Sequence, residues 1–291
     1  MRSLVLALVL LVTPALARAD GGRCVSDRAP RRTAHQEVYL LLNPMGAQHT
    51  IRVGACAPLY GSSHDFLDDN HVELGVTLSL SPVFAFTGGY VELAPATFVF
   101  FRVELAHAAA WPLPLDGAGY FPREGYEQRW TAADLPASSA RSAVGWSLRL
   151  LSVWRGRLQE GSFEALILDA LFVDRDVLGD APYYASLRHD LIARREDWVI
   201  GNEAYALAGH RFDGGPSLRV GVFDALRHVP ASGYLGHQVG PLLMLAWEHA
   251  SPELDTVELW IRLGYYTHHG VRQGEVSALA GLAIDWDLGP I

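Results

Sequence analysis

The chain has 291 residues, 50% of them hydrophobic and 19% charged, with a formal net charge of −9. Its acidic balance, 32 Asp and Glu against 23 basic residues that are all Arg, and the lack of any basic stripe exclude a nucleic-acid partner. The two cysteines, Cys24 and Cys56, show no spacing that resembles a zinc or redox motif.

The chain opens on an export pattern. Arg2 supplies a positive start and Leu4 to Val12 an unbroken apolar run. Thr13 and Pro14 end that run, and Ala17-Arg18-Ala19 has the small-x-small spacing of a cleavage site. The run is too short to span a bilayer as a helix. Residues 1–19 therefore read as a cleavable secretory signal peptide, with no cysteine in lipobox position. In an oxidising compartment Cys24 and Cys56 are expected to pair and pin an N-terminal periplasmic segment, 20–35, to an early strand; two separate thiols are the alternative.

From residue 36 onward apolar groups recur at period two. Val72, Leu74, Val76, Leu78 and Leu80 alternate with His71, Glu73, Gly75, Thr77 and Ser79. Val99, Phe101, Val103 and Leu105 alternate with Phe100, Arg102 and Glu104. Val144 to Leu150, Val257 to Tyr265 and Val276 to Trp286 repeat the pattern. Twelve such segments are predicted: 36–43, 48–59, 70–81, 83–93, 97–109, 142–154, 162–174, 197–211, 216–228, 233–249, 255–267 and 274–287. Most are longer than soluble strands and reach the roughly 9–11 residues that a tilted transmembrane strand needs. Trp198, Trp247, Trp286, Tyr265 and Tyr266 fall near strand ends, where an aromatic girdle would lie.

The reading is an all-β chain: a closed antiparallel transmembrane β-barrel of about 12 strands over 36–291, within a range of 10 to 14. With a periplasmic N-terminus, the two longest connections, 110–141 and 175–196, fall outside, and turns such as Asp213-Gly214-Gly215-Pro216 fall inside. Two joints fit less well. The stretch 60–69 is long for the periplasmic side, and Ser81-Pro82 is tight enough that the flanking strands could be one bent strand.

The last strand resembles the assembly signal of the bacterial outer-membrane β-barrel class, in which a Gly and spaced apolar residues end in an aromatic. Gly281, Leu282, Ile284 and Trp286 carry the resemblance. It departs at Leu279, where a polar residue is usual, and at the five residues that follow the aromatic. The resemblance covers the general class over the whole mature chain. It implies a cell outer-membrane location, outer-membrane lipid and lipopolysaccharide as surroundings, and the barrel-assembly machinery as a partner.

Lumen-facing candidates are Glu73, Arg102, Glu104, Arg149, Glu203, Arg219, Glu258 and Arg262, a mixed-charge set compatible with paired charges in a plugged barrel or with a narrow pore. The outer-membrane phospholipase type resembles a His-x-Ser pair on one strand, and no His here is followed two residues later by Ser. Ser62-Ser63-His64-Asp65 holds triad residue types without triad spacing and reads as a polar turn. Arg188, Arg194 and Arg195 beside His189-Asp190 could meet phosphates, or form a solvated loop. Adjacent His268 and His269 point opposite ways on a strand, so no metal site is expected. The aromatic-rich loop from Trp111 to Trp130 packs as a constriction or as a lid. No catalytic residue and no cofactor is implied. The expected activity is a non-enzymatic pore or transport barrel for small polar solutes; a lipid-modifying enzyme and a soluble periplasmic binding domain are the alternatives.

Overall fold

The computed structural model describes residues 29–61, 66–126, 134–186, 188–248, 250–251 and 254–291. The expected signal peptide at 1–19, Cys24, the Ser62 to Asp65 motif and Trp130 lie outside the described residues. Cys56 is disulfide-bonded, and Cys24 is the only other cysteine in the chain.

Fifteen strands are described: β1 (Arg31–Leu42), β2 (Gly46–Pro58), β3 (His71–Leu80), β4 (Phe84–Ala96), β5 (Val99–Ala110), β6 (Pro122–Arg123), β7 (Ala143–Glu160), β8 (Phe163–Leu178), β9 (Tyr183–Ser186), β10 (Leu191–Arg194), β11 (Val199–Arg211), β12 (Ser217–Val229), β13 (Tyr234–Glu248), β14 (Leu254–His268) and β15 (Val276–Pro290). Twelve close a barrel in the order β1-β15-β14-β13-β12-β11-β8-β7-β5-β4-β3-β2. Each pairs antiparallel with its neighbours, and β15 closes the ring on β1. The twelve expected strands are all present. β1 begins at Arg31 rather than 36, and β7 and β8 continue to Glu160 and Leu178, past the expected ends at 154 and 174. The Ser81-Pro82 joint is a hairpin between two strands, with Leu80 opposite Ala85 and Ser81 N–H donating to the Phe84 carbonyl at 2.8 Å.

The period-two pattern fixes which side chains meet which environment. On β5, Leu105 is 59% exposed on the outer face and Phe100 is 1% exposed inside. Leu74, Val76, Val103, Val220, Val222, Ile261 and Leu263 are likewise exposed, so the barrel wears an aliphatic skin. Trp146, Trp154 and Tyr265 are exposed on it. Tyr266 departs from the expected girdle: it turns inward, its hydroxyl donates to the Asn43 carbonyl at 3.3 Å, and its ring packs on His269.

The two long connections sit at one end, called here the loop end; the chain termini sit at the other, the turn end. The loops are structured. Strands β6, β9 and β10 form a small sheet across both connections. Its side chains pack in two apolar clusters at the barrel mouth, one with Phe121, Leu135, Ala185 and Ile192, the other with Tyr120, Tyr184 and Leu191 against Val199 and Val229. The aromatic loop is thus a lid seated on the barrel.

Candidate functional site: the barrel lumen

Inward side chains divide the lumen into levels. At the turn end, buried charges are paired. Arg219, only 1% exposed, forks onto Glu164, with Nε to Oε1 at 3.0 Å and Nη2 to Oε2 at 3.1 Å, and also reaches Glu248 at 3.2 Å. Arg157 bridges the same two carboxylates at 2.8 and 3.2 Å. Glu258 lies 3.9 Å from Arg219, and neither of its oxygens accepts a hydrogen bond among the described residues. Across the lumen, His71 links Asp69 at 3.1 Å and Glu92 at 3.2 Å. Arg102 Nε donates to Glu92 at 2.9 Å, while Glu73 accepts from Tyr90 and, at 3.1 Å, from Thr33. The ligand atoms of His71, Glu73 and Glu92 lie within 4.8 Å of one another, a spacing that a cation could use, but bonds to Arg102, Tyr90 and Thr33 already balance these groups.

Above this lies an apolar layer. Leu166, Leu168, Leu207, Phe223, Leu242 and Met244 are all buried in one cluster that continues into Trp260 and Leu279. Leu279 is therefore an inward residue of an apolar level, which explains why β15 departs there from the usual polar choice. Leu282 is exposed on the outer face of the same strand, beside the half-buried Ile284 and Trp286. Gly281 faces in, and a Cβ there would lie 2.3 Å from the Trp260 ring.

From this layer to the loop end runs a cavity of about 300 Å³. Arg52, Arg102, Arg149, Arg188, Arg227 and Arg262 line it, with the carboxylates Glu37, Glu104, Glu203 and Asp190. Six guanidiniums less four carboxylates leave the lining itself at +2, and Glu92, Asp174 and Asp176 behind it pair with Arg102, Arg149 and Arg188. Most of these arginines are held in place. Arg149 makes a two-pronged bond to Asp174 at 2.7 and 2.6 Å. Arg227 and Arg262 share Glu203, the latter at 3.2 Å, and Tyr205 donates to Glu203 at 2.8 Å. Aromatic faces support the guanidiniums: Phe172 under Arg149 and Arg227 at 5.1 and 4.5 Å, Phe223 under Arg262 at 4.8 Å, and Phe86 under Arg188 at 4.5 Å. A planar cation braced by a carboxylate behind and a ring beside keeps its remaining N–H groups pointed at the cavity without losing conformational freedom on binding.

The lid meets the lumen through polar contacts. Arg188 reaches Asp176 at 3.2 Å and Ser147 at 3.0 Å, whereas Arg194 and Arg195 are exposed on the far side, so the three arginines do not converge. His189 lies 3.4 Å from Asp176 and 3.6 Å from Asp174. Burial pushes its pKa down from 6.5, against the raising effect of both aspartates. Asp190 takes Arg272 at 2.6 Å and lies 3.4 Å from His269. Burial raises the Asp190 carboxyl, and these two partners outweigh it and hold the group below 3.8. His268 is exposed on the other face. Ser147 donates to Asp176 at 2.6 Å rather than to His189, so the hydroxyl lacks the imidazole base that a serine nucleophile requires.

Of the eight sequence candidates, Glu104, Arg149, Glu203 and Arg262 meet at the cavity. Arg102 spans the cavity and the His71 network, Glu73 lies in that network, and Arg219 and Glu258 sit below in the turn-end cluster. Arg52 and Arg227 were legible by the same alternation, beside the exposed Val53 and the outward Leu226. Arg188 and His189 belong to the lid, and no strand pattern announces them.

No protein-family model matches the chain. No curated protein matches it either. Among solved structures, the NanC porin aligns over 88% of this chain and 100% of its own at 8% identity, with a TM-score of 0.37. The COG4313 outer membrane channel from Pseudomonas putida F1 aligns over 95% and 100% at 12% identity, with a TM-score of 0.40. The transport unit of the autotransporter AIDA-I from Escherichia coli aligns over 98% and 96% at 10% identity, also with a TM-score of 0.40. The neighbours are outer-membrane β-barrel proteins, and the likeness is one of fold.

Proposed function

We propose that this chain is an outer-membrane barrel that takes small polar solutes, anions preferentially, into its lumen from the loop end, as a narrow pore rather than a wide one. The observation that carries this reading is the arginine-lined cavity inside a barrel with an aliphatic skin. Export by the N-terminal segment, insertion among outer-membrane lipids and lipopolysaccharide, and folding through the barrel-assembly machinery belong to the same proposal. Guanidinium forks match carboxylate and phosphate oxygens, and a positively lined, low-dielectric recess concentrates anions. The apolar layer beneath the cavity must part for a solute to pass, so conductance is small and intermittent.

Conductance of the purified protein in planar bilayers under a salt gradient tests both parts. Small channel events with a reversal potential of anion-selective sign are expected. A permanently silent barrel overturns the pore; cation selectivity overturns the solute preference alone.

A further inference from the structure

Setting the ion pairs of the cavity aside leaves a small set of unmatched charges. Arg102, Arg149 and Arg188 are matched by Glu92, Asp174 and Asp176, and Asp190 by Arg272. Arg227 and Arg262 share the single carboxylate of Glu203, so their side of the cavity keeps one surplus positive charge. Arg52 on β2, Glu37 on β1 and Glu104 on β5 complete the lining, and β2 faces β11, the strand of Glu203, across the ring. Among the described residues the Arg52 guanidinium forms no hydrogen bond, no ion pair and no ring contact, unlike the other five lining arginines. Register explains this. Its inner-face neighbours are His35 and Thr77. Neither is a carboxylate, and His35 is held by Asp285 at 2.9 Å. Glu104 is stranded in the same way between Tyr90 and Arg149, since Tyr90 donates to Glu73 and Arg149 forks onto Asp174. Glu37, opposite Thr50, is a diagonal neighbour of Arg52 and has the His35 ring at 3.9 Å. Both carboxylates lie within electrostatic reach of Arg52 without pairing with it. The positions that continue the row of Arg52 onto β3, β4 and β5 are Thr77, Gly88 and Ala106, so no long side chain stands in that row between Arg52 and β5.

We infer that the cavity binds an acidic amino acid, with one carboxylate on Arg52, the ammonium taken by Glu37 and Glu104, and the second carboxylate on the surplus charge of Arg227 and Arg262. Unpartnered charges in a low-dielectric recess are costly, and a ligand that supplies their counter-charges recovers that cost. Inorganic phosphate or a plain dicarboxylate would satisfy the arginines but would leave Glu37 and Glu104 repelling it. A neutral amino acid would leave the surplus cation unmet. Two carboxylates and one ammonium on one small solute match all the unmatched groups, and the free N–H groups of Arg52 form the fork that a carboxylate fits. The inference rests on the proposed reading of this cavity as the place where anions enter the lumen, and names their chemistry; it does not need the barrel to conduct.

Titration calorimetry of the full chain in lipid nanodiscs is the test, with three probes: glutamate, hydroxyglutarate, in which a hydroxyl replaces the ammonium, and glutamine, which lacks the second carboxylate. Glutamate is expected to bind, and each of the other two roughly ten-fold or more weakly, the loss of one charge-assisted contact. R52Q, folded by the criterion of faster migration unboiled, is expected to weaken glutamate by a similar factor. E37Q/E104Q, two near-isosteric changes, is expected to bind hydroxyglutarate as well as glutamate. The wild-type comparison of probes stands whether or not a variant folds. Absence of glutamate binding overturns the inference, and so does hydroxyglutarate or glutamine binding as tightly as glutamate. Anion-selective conductance without glutamate binding would leave the proposed function in place and remove this inference. Glutamate binding by a silent barrel would remove the pore and support the site.

Discussion

Two side chains show how this lumen is specified residue by residue. Trp260 reaches across β15 because position 281 has no Cβ; with one, the ring would meet carbon at 2.3 Å. Gly281→Val is therefore expected to destabilise the barrel by about 1–3 kcal/mol through overpacking, read as a lower denaturant midpoint for loss of the fast-migrating unboiled form. Gly156 on β7, with an ordinary φ and open space around it, serves as the control for glycine loss within a barrel strand. Arg219 makes the opposite argument, from charge. It is the guanidinium nearest Glu258 and the two-pronged partner of Glu164. Arg219→Met leaves buried carboxylates short of a cation, at a cost of about 3 kcal/mol. Arg219→Lys should restore only part of that, because an ammonium cannot reproduce the fork. Equal stability of the lysine variant and the wild type would show that charge alone matters.

At the scale of elements, the strands and the lid obey different kinds of information. Each of the twelve barrel strands repeats one instruction, side chains alternating between the outer face and the lumen at period two. For that reason the twelve spans, the hairpin count and the inward placement of Arg149 or Arg262 were legible in sequence. The small sheet of β6, β9 and β10 is built from segments of two and four residues paired across two distant connections, too short for any period to show. Tyr266 misled for a related reason: an aromatic near a strand end fits a girdle, and only the contact with the Asn43 carbonyl turns it inward. The lid also carries a pH dependence of its own. Burial depresses the His189 pKa below 6.5, so the unfolded lid binds the proton more readily than the seated one. Seating is then fully stable above about pH 6.5 and weakens as pH falls through the lower, seated value. Asp190, held below 3.8, acts in a separate and more acidic window. The protection factors of the described amides over 183–186 and 188–194, that is, exchange corrected for its base-catalysed intrinsic rate, are expected to fall between pH 7.5 and 5 in the wild type and to lose that dependence in His189→Gln. Protection factors that stay constant across this range in the wild type would remove His189 as the cause.

For the whole molecule, the charged cavity and the apolar layer make opposing demands. The arginines lower the energy of an anion near mid-barrel, whereas Leu168, Phe223 and Met244, each 2% exposed or less, offer it neither water nor a hydrogen bond. On the proposed function, the barrier to passage is the apolar layer and the selectivity lies above it in the cavity. These two properties should separate under mutation. Replacing Leu168 and Met244 together by Ala removes side-chain volume from the layer and touches no cavity arginine. Such truncations cost about 2–5 kcal/mol each in packed cores, so retention of the unboiled, fast-migrating form must be checked first. The folded double variant is expected to conduct several-fold more than the wild type, with the same anion-selective reversal potential. Arg52→Gln is expected to do the reverse, lowering selectivity at unchanged event frequency, because Arg52 lines the cavity and takes no part in the layer. If the alanine double variant conducts no better than the wild type, the layer is not the barrier, and the ion-paired turn end around Arg219 and Glu164 becomes the closure instead.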